Sequence, residues 1–214
     1  MNAFASELSK LALELRRVRR LLRALPGELE QRERAVLEDA DLTTEARRIK
    51  LRQIREEERS KQQKLHQRLL AATSHAEELA KKIRVRRPIE ETAQARVQEL
   101  IARGLAHNAI IERAVELGDD EIIAALRSEA LYHGDKHGFA DATSTVEACD
   151  RALAEVGRGG DQENNQAILD VADAREAVDE INEFAAKSVL GQATPQDRLR
   201  LGFAVGPIDA REDD

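Results

Sequence analysis

The chain has 214 residues, of which 35% are charged and 2% aromatic, with no Trp and a net charge of −7. This disfavours a core built on large rings and favours helices packed through Ala, Leu, Ile and Val. A lone cysteine, Cys149, excludes an intrachain disulfide and suits a reducing compartment. No stretch approaches the roughly 18 apolar residues of a membrane span. The first ten residues lack the basic start and apolar run of a signal peptide. A cytoplasmic location, or one within a particle assembled in the cytoplasm, is therefore expected.

The charge is unevenly spread. Residues 1–87 carry 22 Lys/Arg and 14 Asp/Glu, a net of +8, whereas residues 88–214 carry 12 and 27, a net of −15. Pro88 follows the basic run Arg84-Val85-Arg86-Arg87 and biases the residue before it away from helix. A boundary is placed there. The expected organisation is a basic helical hairpin over 1–87, an acidic helical bundle over 88–202 and an acidic, mobile tail over 203–214.

In the first segment, Phe4, Leu8, Leu11, Leu15, Val18, Leu22, Leu25 and Leu29 follow one another at alternating intervals of 4 and 3. That is an a/d heptad stripe, narrower than the apolar face of an ordinary globular helix, and it predicts a coiled-coil seam. Pro26-Gly27 predicts a kink or a short break. Asp39-Ala40-Asp41-Leu42-Thr43 reads as a turn in which Asp41 or Thr43 caps the next helix. That helix is predicted from about Thr44 to about Arg86. Its apolar positions form two groups, Ala46, Ile49, Leu51 and Ile54, then Leu65, Leu69, Ala72, Ala76, Leu79 and Ile83. Between them, Arg55 to Lys64 contains no apolar side chain. Folded about residue 42, Leu8 faces Ala76, Leu15 faces Leu69, and Pro26 meets the polar stretch. The expected product is an antiparallel pair whose seam lapses at one level on both helices.

Beyond Pro88, shorter helices alternate with glycines that suit the left-handed residue closing a helix. Apolar faces run through Ile89, Ala93, Val97 and Leu100, through Ile110 and Ala114 to Gly118, and from an Asp119 cap through Ile122, Ile123 and Leu126 towards Gly134. The next begins at Asp141 or Thr143 and contains Cys149 and Leu153. Asp161 is expected to cap one long helix through Ile168, Val178, Ile181 and Val189, closed by Gly191. Thr194-Pro195 starts a final short helix.

Few residues suggest chemistry. His133 and His137, with Asp135 between them, have the residue types of a divalent-metal site. Gly134 and Gly138 indicate a turn instead, so a polar turn is the favoured reading. Cys149 occupies an apolar helix position and reads as a small core residue. The acids Asp170, Asp173, Glu176 and Glu180 read as a solvated face. Nucleotide-binding glycine motifs, nucleophile elbows and paired-cysteine motifs do not occur. No catalytic or cofactor-binding residue is assigned, and no enzyme activity or cofactor is expected.

The reading is an all-α, non-enzymatic interaction or assembly protein. It would be a scaffold or adaptor, by analogy of shape and composition one of a phage-type particle. It would meet a protein partner, or itself, through a coiled-coil arm with seam residues Leu8, Leu11, Leu15, Val18, Leu22, Leu25, Leu65, Leu69, Leu79 and Ile83. The alternative is a nucleic-acid-binding regulatory or accessory factor that uses Arg16, Arg17, Arg19, Arg20 and Arg23 on phosphates. The stripe is too narrow, and Trp too absent, for a membrane-surface helix.

Overall fold

The structure, a computed structural model, describes residues 3–86, 89–133, 142–158, 160–176 and 178–197. Among the described residues it is all-α and contains no strand. Eight helices follow in order: α1 (Ala3–Glu38), α2 (Thr44–Arg86), α3 (Glu91–Ala102), α4 (His107–Leu117), α5 (Asp120–His133), α6 (Ala142–Val156), α7 (Gly160–Arg175) and α8 (Val178–Val189). None of the described helices is long and apolar enough to cross a membrane.

Two expectations of local structure are corrected. Of the kink or short break expected at Pro26-Gly27, the break does not occur, because α1 is continuous and holds Pro26 inside it. Proline removes one backbone donor and costs about 3 kcal/mol within a helix. Leu22, Leu25 and Leu29 on either side are at most 4% exposed, and full burial of each such side chain is worth about 1.5–3 kcal/mol. Burial therefore outweighs the proline. The helix expected from Asp161 to Val189 is instead two helices, α7 and α8, with a turn at Glu176. Its apolar spacing continues through the turn without a glycine or proline to mark it, so periodicity alone predicts continuity.

Other boundaries follow from side-chain chemistry. The Ala46 amide donates to the Thr43 hydroxyl at 3.2 Å, making Thr43 the cap of α2. Gly118 takes the left-handed conformation at φ 62°, which closes α4. The Ile122 amide donates to Asp119 Oδ1 at 3.2 Å, and α5 starts there. Gly191 closes α8 at φ 69°. The Gln192 amide reaches back to the Lys187 carbonyl at 2.8 Å and the Gly191 amide to the Ser188 carbonyl at 3.0 Å, a pairing that satisfies carbonyls a helix end leaves free.

The chain forms two compact units, one of Met1–Ala12 with Ser74–Asp173 and the other of Leu13–Thr73 with Ala174–Asp214. In the first unit, α5 is buried almost all round, through Ile122, Ile123, Ala124, Ala125, Leu126, Arg127, Glu129 and Ala130. It packs on α3, α4 and α6, and Val97, Ile110, Leu126 and Leu153 belong to one core. A second apolar cluster joins Ala5 and Leu8 of α1 to Ala76, Leu79 and Ile83 of α2 and to Ala167 and Ile168 of α7, with Phe4 and Leu11 partly buried against it.

In the second unit, Leu15, Val18, Leu22 and Leu25 are completely inaccessible. In the same unit, α2 buries Ile54, Leu65, Leu69 and Ala72, and α8 buries Val178, Ile181, Ala185 and Val189.

Candidate functional site

Within the second unit, α2 sorts its charges by face. Arg55 to Lys64 has no apolar residue, yet Glu58 is 4% and Gln62 9% exposed. Both lie in the row of buried positions Ile54, Glu58, Gln62, Leu65 and Leu69, so polar side chains continue the buried row through the stretch that has no apolar residue. Each has partners. Arg32 Nη1 of α1 donates to Glu58 Oε1 at 2.6 Å, and its Nη2 donates to Glu57 at 2.6 Å. These two hydrogen bonds are the main reason the Arg32 guanidinium is held above its ordinary pKa. Gln62 Nε2 donates to Asn182 Oδ1 of α8 at 3.0 Å. Asn182 Nδ2 lies 3.0 Å from His66 Nδ1. Sequence periodicity misses this layer because it scores only apolar residues.

Flanking ion pairs tie α1 to α2 in the same unit. Arg55 Nε meets Glu33 at 2.6 Å, Lys61 meets Glu28, and Arg68 meets Glu14.

On the outer side of α2, Arg48, Arg52, Arg55 and Arg59 are all exposed. Their spacing of 4, 3 and 4 places them on one helical face. They border an open groove of about 430 Å³, whose other lining residues are Leu51, Glu56, Val189 and Leu190. Leu190 is 50% exposed. It directly follows α8 and is held beside the arginines by the left-handed Gly191, and a Cβ on Gly191 would lie 3.7 Å from Arg55 Nη1. Among the described residues, Arg48, Arg52 and Arg59 form no ion pair. The groove thus combines a cationic wall with an aliphatic floor. The sequence offered a signal for it in the arginine spacing, but Val189 and Leu190 of the floor stand far along the chain from the arginines.

In the first unit, a group of buried polar side chains pairs with one another. Arg127 is 3% and Asp150 1% exposed. Arg127 Nη1 donates to Asp150 Oδ1 at 2.9 Å and to Asn165 Oδ1 at 2.8 Å. Arg84 donates to Asp150 Oδ2 from Nε at 3.1 Å and from Nη2 at 2.5 Å. Asn165 Nδ2 completes the network by donating to the Asp161 carbonyl at 2.7 Å. Glu129, also buried, accepts from Gln98 Nε2 at 2.7 Å. These groups hold α2, α5, α6 and α7 of the unit together. Cys149 is completely buried among them. Burial, the largest influence, pushes its thiol up to about 12, which suits a core residue and not a nucleophile.

A second open cleft of about 460 Å³ in this unit is acidic, with Glu90, Asp119, Asp120, Glu121 and Asp161 beside Arg158. Several of these acids have a structural role. Asp119 caps α5, and Asp120 and Glu121 occupy its first turn, where negative charge is favourable.

The sequence-derived candidates are placed as follows. Asp135 and His137 lie outside the described residues, as does the side chain of His133, whose backbone ends α5. Among the described residues, no group of three or more His, Cys, Asp or Glu is set to hold a metal. Arg16, Arg17 and Arg20 are exposed, and Arg19 and Arg23 half-buried. The seam candidates Leu8, Leu15, Val18, Leu22, Leu25, Leu65, Leu69, Leu79 and Ile83 are buried, and Leu11 is half-buried. The tail from residue 198 lies outside the described residues. Comparisons with protein-family models, curated proteins and solved structures gave no match.

Proposed function

We propose that the chain is a non-enzymatic interaction protein, an adaptor or scaffold, in which α1 and α2 form an antiparallel coiled-coil hairpin that presents a charged surface to a protein partner. The observation that carries this reading is the set of ion pairs from Arg32, Arg55, Lys61 and Arg68 across α1 and α2. In this reading the apolar side chains of the two helices hold the arm together, and charge faces solvent. The buried titratable groups have structural partners, as Asp150 does with its two arginines, which supports a stabilising use of polar chemistry over a catalytic one.

The test combines two measurements on the intact chain. Sedimentation velocity over a hundredfold range of concentration reads self-association. Cross-linking in an extract of the source cell, followed by mass spectrometry, reads partners. The expected result is a defined homo-oligomer or a reproducible cross-linked partner, with links on α1 or α2. A monomer at every concentration that cross-links to nothing overturns the reading.

A second reading, binding to nucleic acid, is favoured by the exposure of Arg16, Arg17 and Arg20. Its affinity should fall steeply with salt. Changing Arg16, Arg17, Arg19 and Arg20 together to Gln should abolish it, and unchanged binding to DNA and RNA refutes it.

A further inference from the structure

We infer that the groove of the second unit walled by Arg48, Arg52, Arg55 and Arg59 is a docking site for an acidic, amphipathic helical segment of a partner protein. This inference rests on the interaction-protein reading and adds to it a site and a partner chemistry.

Charge complementarity is the first argument. The four arginines extend over roughly 16 Å of α2 at 1.5 Å per residue. Guanidinium groups bind carboxylates through paired N–H donors in a fixed plane. Arg55 already bonds Glu33, and Glu56 stands at the edge of the groove. Arg48, Arg52 and Arg59 remain to meet an incoming anion. Their 4-and-3 rhythm matches acids placed every third or fourth residue on a second helix.

The floor decides between anionic partners. Leu51, Val189 and half-exposed Leu190 form an aliphatic strip beside the guanidinium groups. A nucleic-acid strand uses aromatic faces on which bases stack, and none lines this groove. A phosphate backbone gains nothing from leucine. An amphipathic helix uses both features, with carboxylates on the arginines and an apolar side chain on the strip.

The test uses fluorescence anisotropy with the full chain. The probe is a labelled synthetic 15-residue helical peptide with glutamates three and four residues apart and two leucines beside them. Controls are the same peptide with Gln for Glu, and a labelled single-stranded oligonucleotide. The acidic peptide should bind, and raising the salt from 50 to 500 mM should weaken it at least tenfold. The Gln peptide should bind at least tenfold more weakly. The triple change Arg48→Gln, Arg52→Gln, Arg59→Gln should lower affinity at least tenfold, and Leu190→Ala about threefold. All four side chains are exposed, and circular dichroism of each variant confirms that the fold is retained.

Failure of the acidic peptide to bind, or equal binding by the triple variant, overturns the inference. Tighter binding of the oligonucleotide, lost in the same variant, overturns it in favour of nucleic acid. The chain's own final residues include Asp209, Glu212, Asp213 and Asp214. If a chain ending at Asp197 binds the peptide at least tenfold more tightly than the full chain, the groove's occupant is that segment, and the partner proposed here is displaced. None of these outcomes touches the broader reading, which fails only if the chain neither self-associates nor cross-links to a partner.

Discussion

Replacing Asp150 with Ala should destabilise the first unit severely. The carboxylate is 1% exposed and neutralises Arg127, which is 3% exposed. Solvent does not screen either group. Without Asp150, Arg127 keeps, among the described residues, only the Asn165 oxygen at 2.8 Å, and Arg84 loses the acceptor of both its donors. Removing one partner of a buried pair costs about 3–5 kcal/mol. For a chain of this size, each kcal/mol moves the melting temperature by about 2–4 °C, so a drop of about 6–20 °C is expected. Asp150→Asn keeps volume and one acceptor but loses the charge, and should cost about 1.5–3 kcal/mol, the worth of a hydrogen bond to a charged group. The informative control is the double change Arg127→Met, Asp150→Leu. Replacing both buried charges with packed apolar groups is often neutral or stabilising, and only the partly exposed Arg84 then lacks its partner, so the double change should cost less than Asp150→Ala despite altering more atoms. The assay is urea unfolding followed by circular dichroism, read on the transition that includes the first unit. If Asp150→Ala falls within about 0.5 kcal/mol of the parent, or the double change is as damaging as the single one, the pair does not carry the load assigned to it.

Changing Glu58 and Gln62 together to Leu should raise thermal stability, since polar residues at these buried positions stabilise less than apolar ones. It should also loosen register or oligomeric state, which such residues specify; an unchanged sedimentation profile would argue against that role. A Cβ on Gly27 meets nothing within 4 Å, so Gly27→Ala should stabilise α1 by about 0.5–1 kcal/mol in urea unfolding. Gly118→Ala meets nothing either but forces alanine to φ 62°, and should cost about 1 kcal/mol in the same assay. The Cys149 thiol, pushed up to about 12, is about one ten-thousandth thiolate at pH 8. The native chain should therefore react with a disulfide reagent at least a hundredfold more slowly than the unfolded chain. The Asp197 carboxyl is held below the usual carboxylate range, first by the Thr194 hydroxyl, then by Lys187 and the Thr194 amide. A depressed folded pKa gives stability that is present above the unfolded value and lost as pH falls through the folded one. Carboxyl NMR should place its midpoint below that of free Asp, and Thr194→Val should raise it.

Much of the helical framework is legible in the sequence because caps and closing glycines act locally. Thr43, Gly118, Asp119 and Gly191 do their work within four residues of where they stand. The continuity of α1 through Pro26 is not legible, because the burial of Leu22, Leu25 and Leu29 that offsets the proline comes from other helices. The turn at Glu176 is hidden for the same reason. The apolar spacing of Ala174, Val178 and Ile181 is that of one helix, while residues to Asp173 pack in one unit and those from Ala174 in the other. The pairing of Arg127 with Asp150 is beyond a periodicity argument altogether. A lone Arg in an apolar face gives no sign of which acid, 23 residues away, will neutralise it.

The polar stretch of α2 carries the same lesson into function. A run of ten polar residues reads as a gap in a seam when only apolar side chains are counted. Counted by face, Glu58 and Gln62 point inward and are bonded to Arg32 and Asn182, whereas Arg52, Arg55 and Arg59 remain exposed. An apolar residue at 58 or 62 would bury as much area but would accept any leucine opposite it. The polar pair accepts only a partner that offers a matching donor or acceptor, and so it fixes which residues of α1 and α8 lie at that level. By doing so it also fixes where Val189 and Leu190 meet the outer arginines. In the proposed function, specificity inside the unit and recognition outside it are therefore linked. The buried hydrogen bonds that set the position of α8 also assemble the aliphatic floor of the arginine groove.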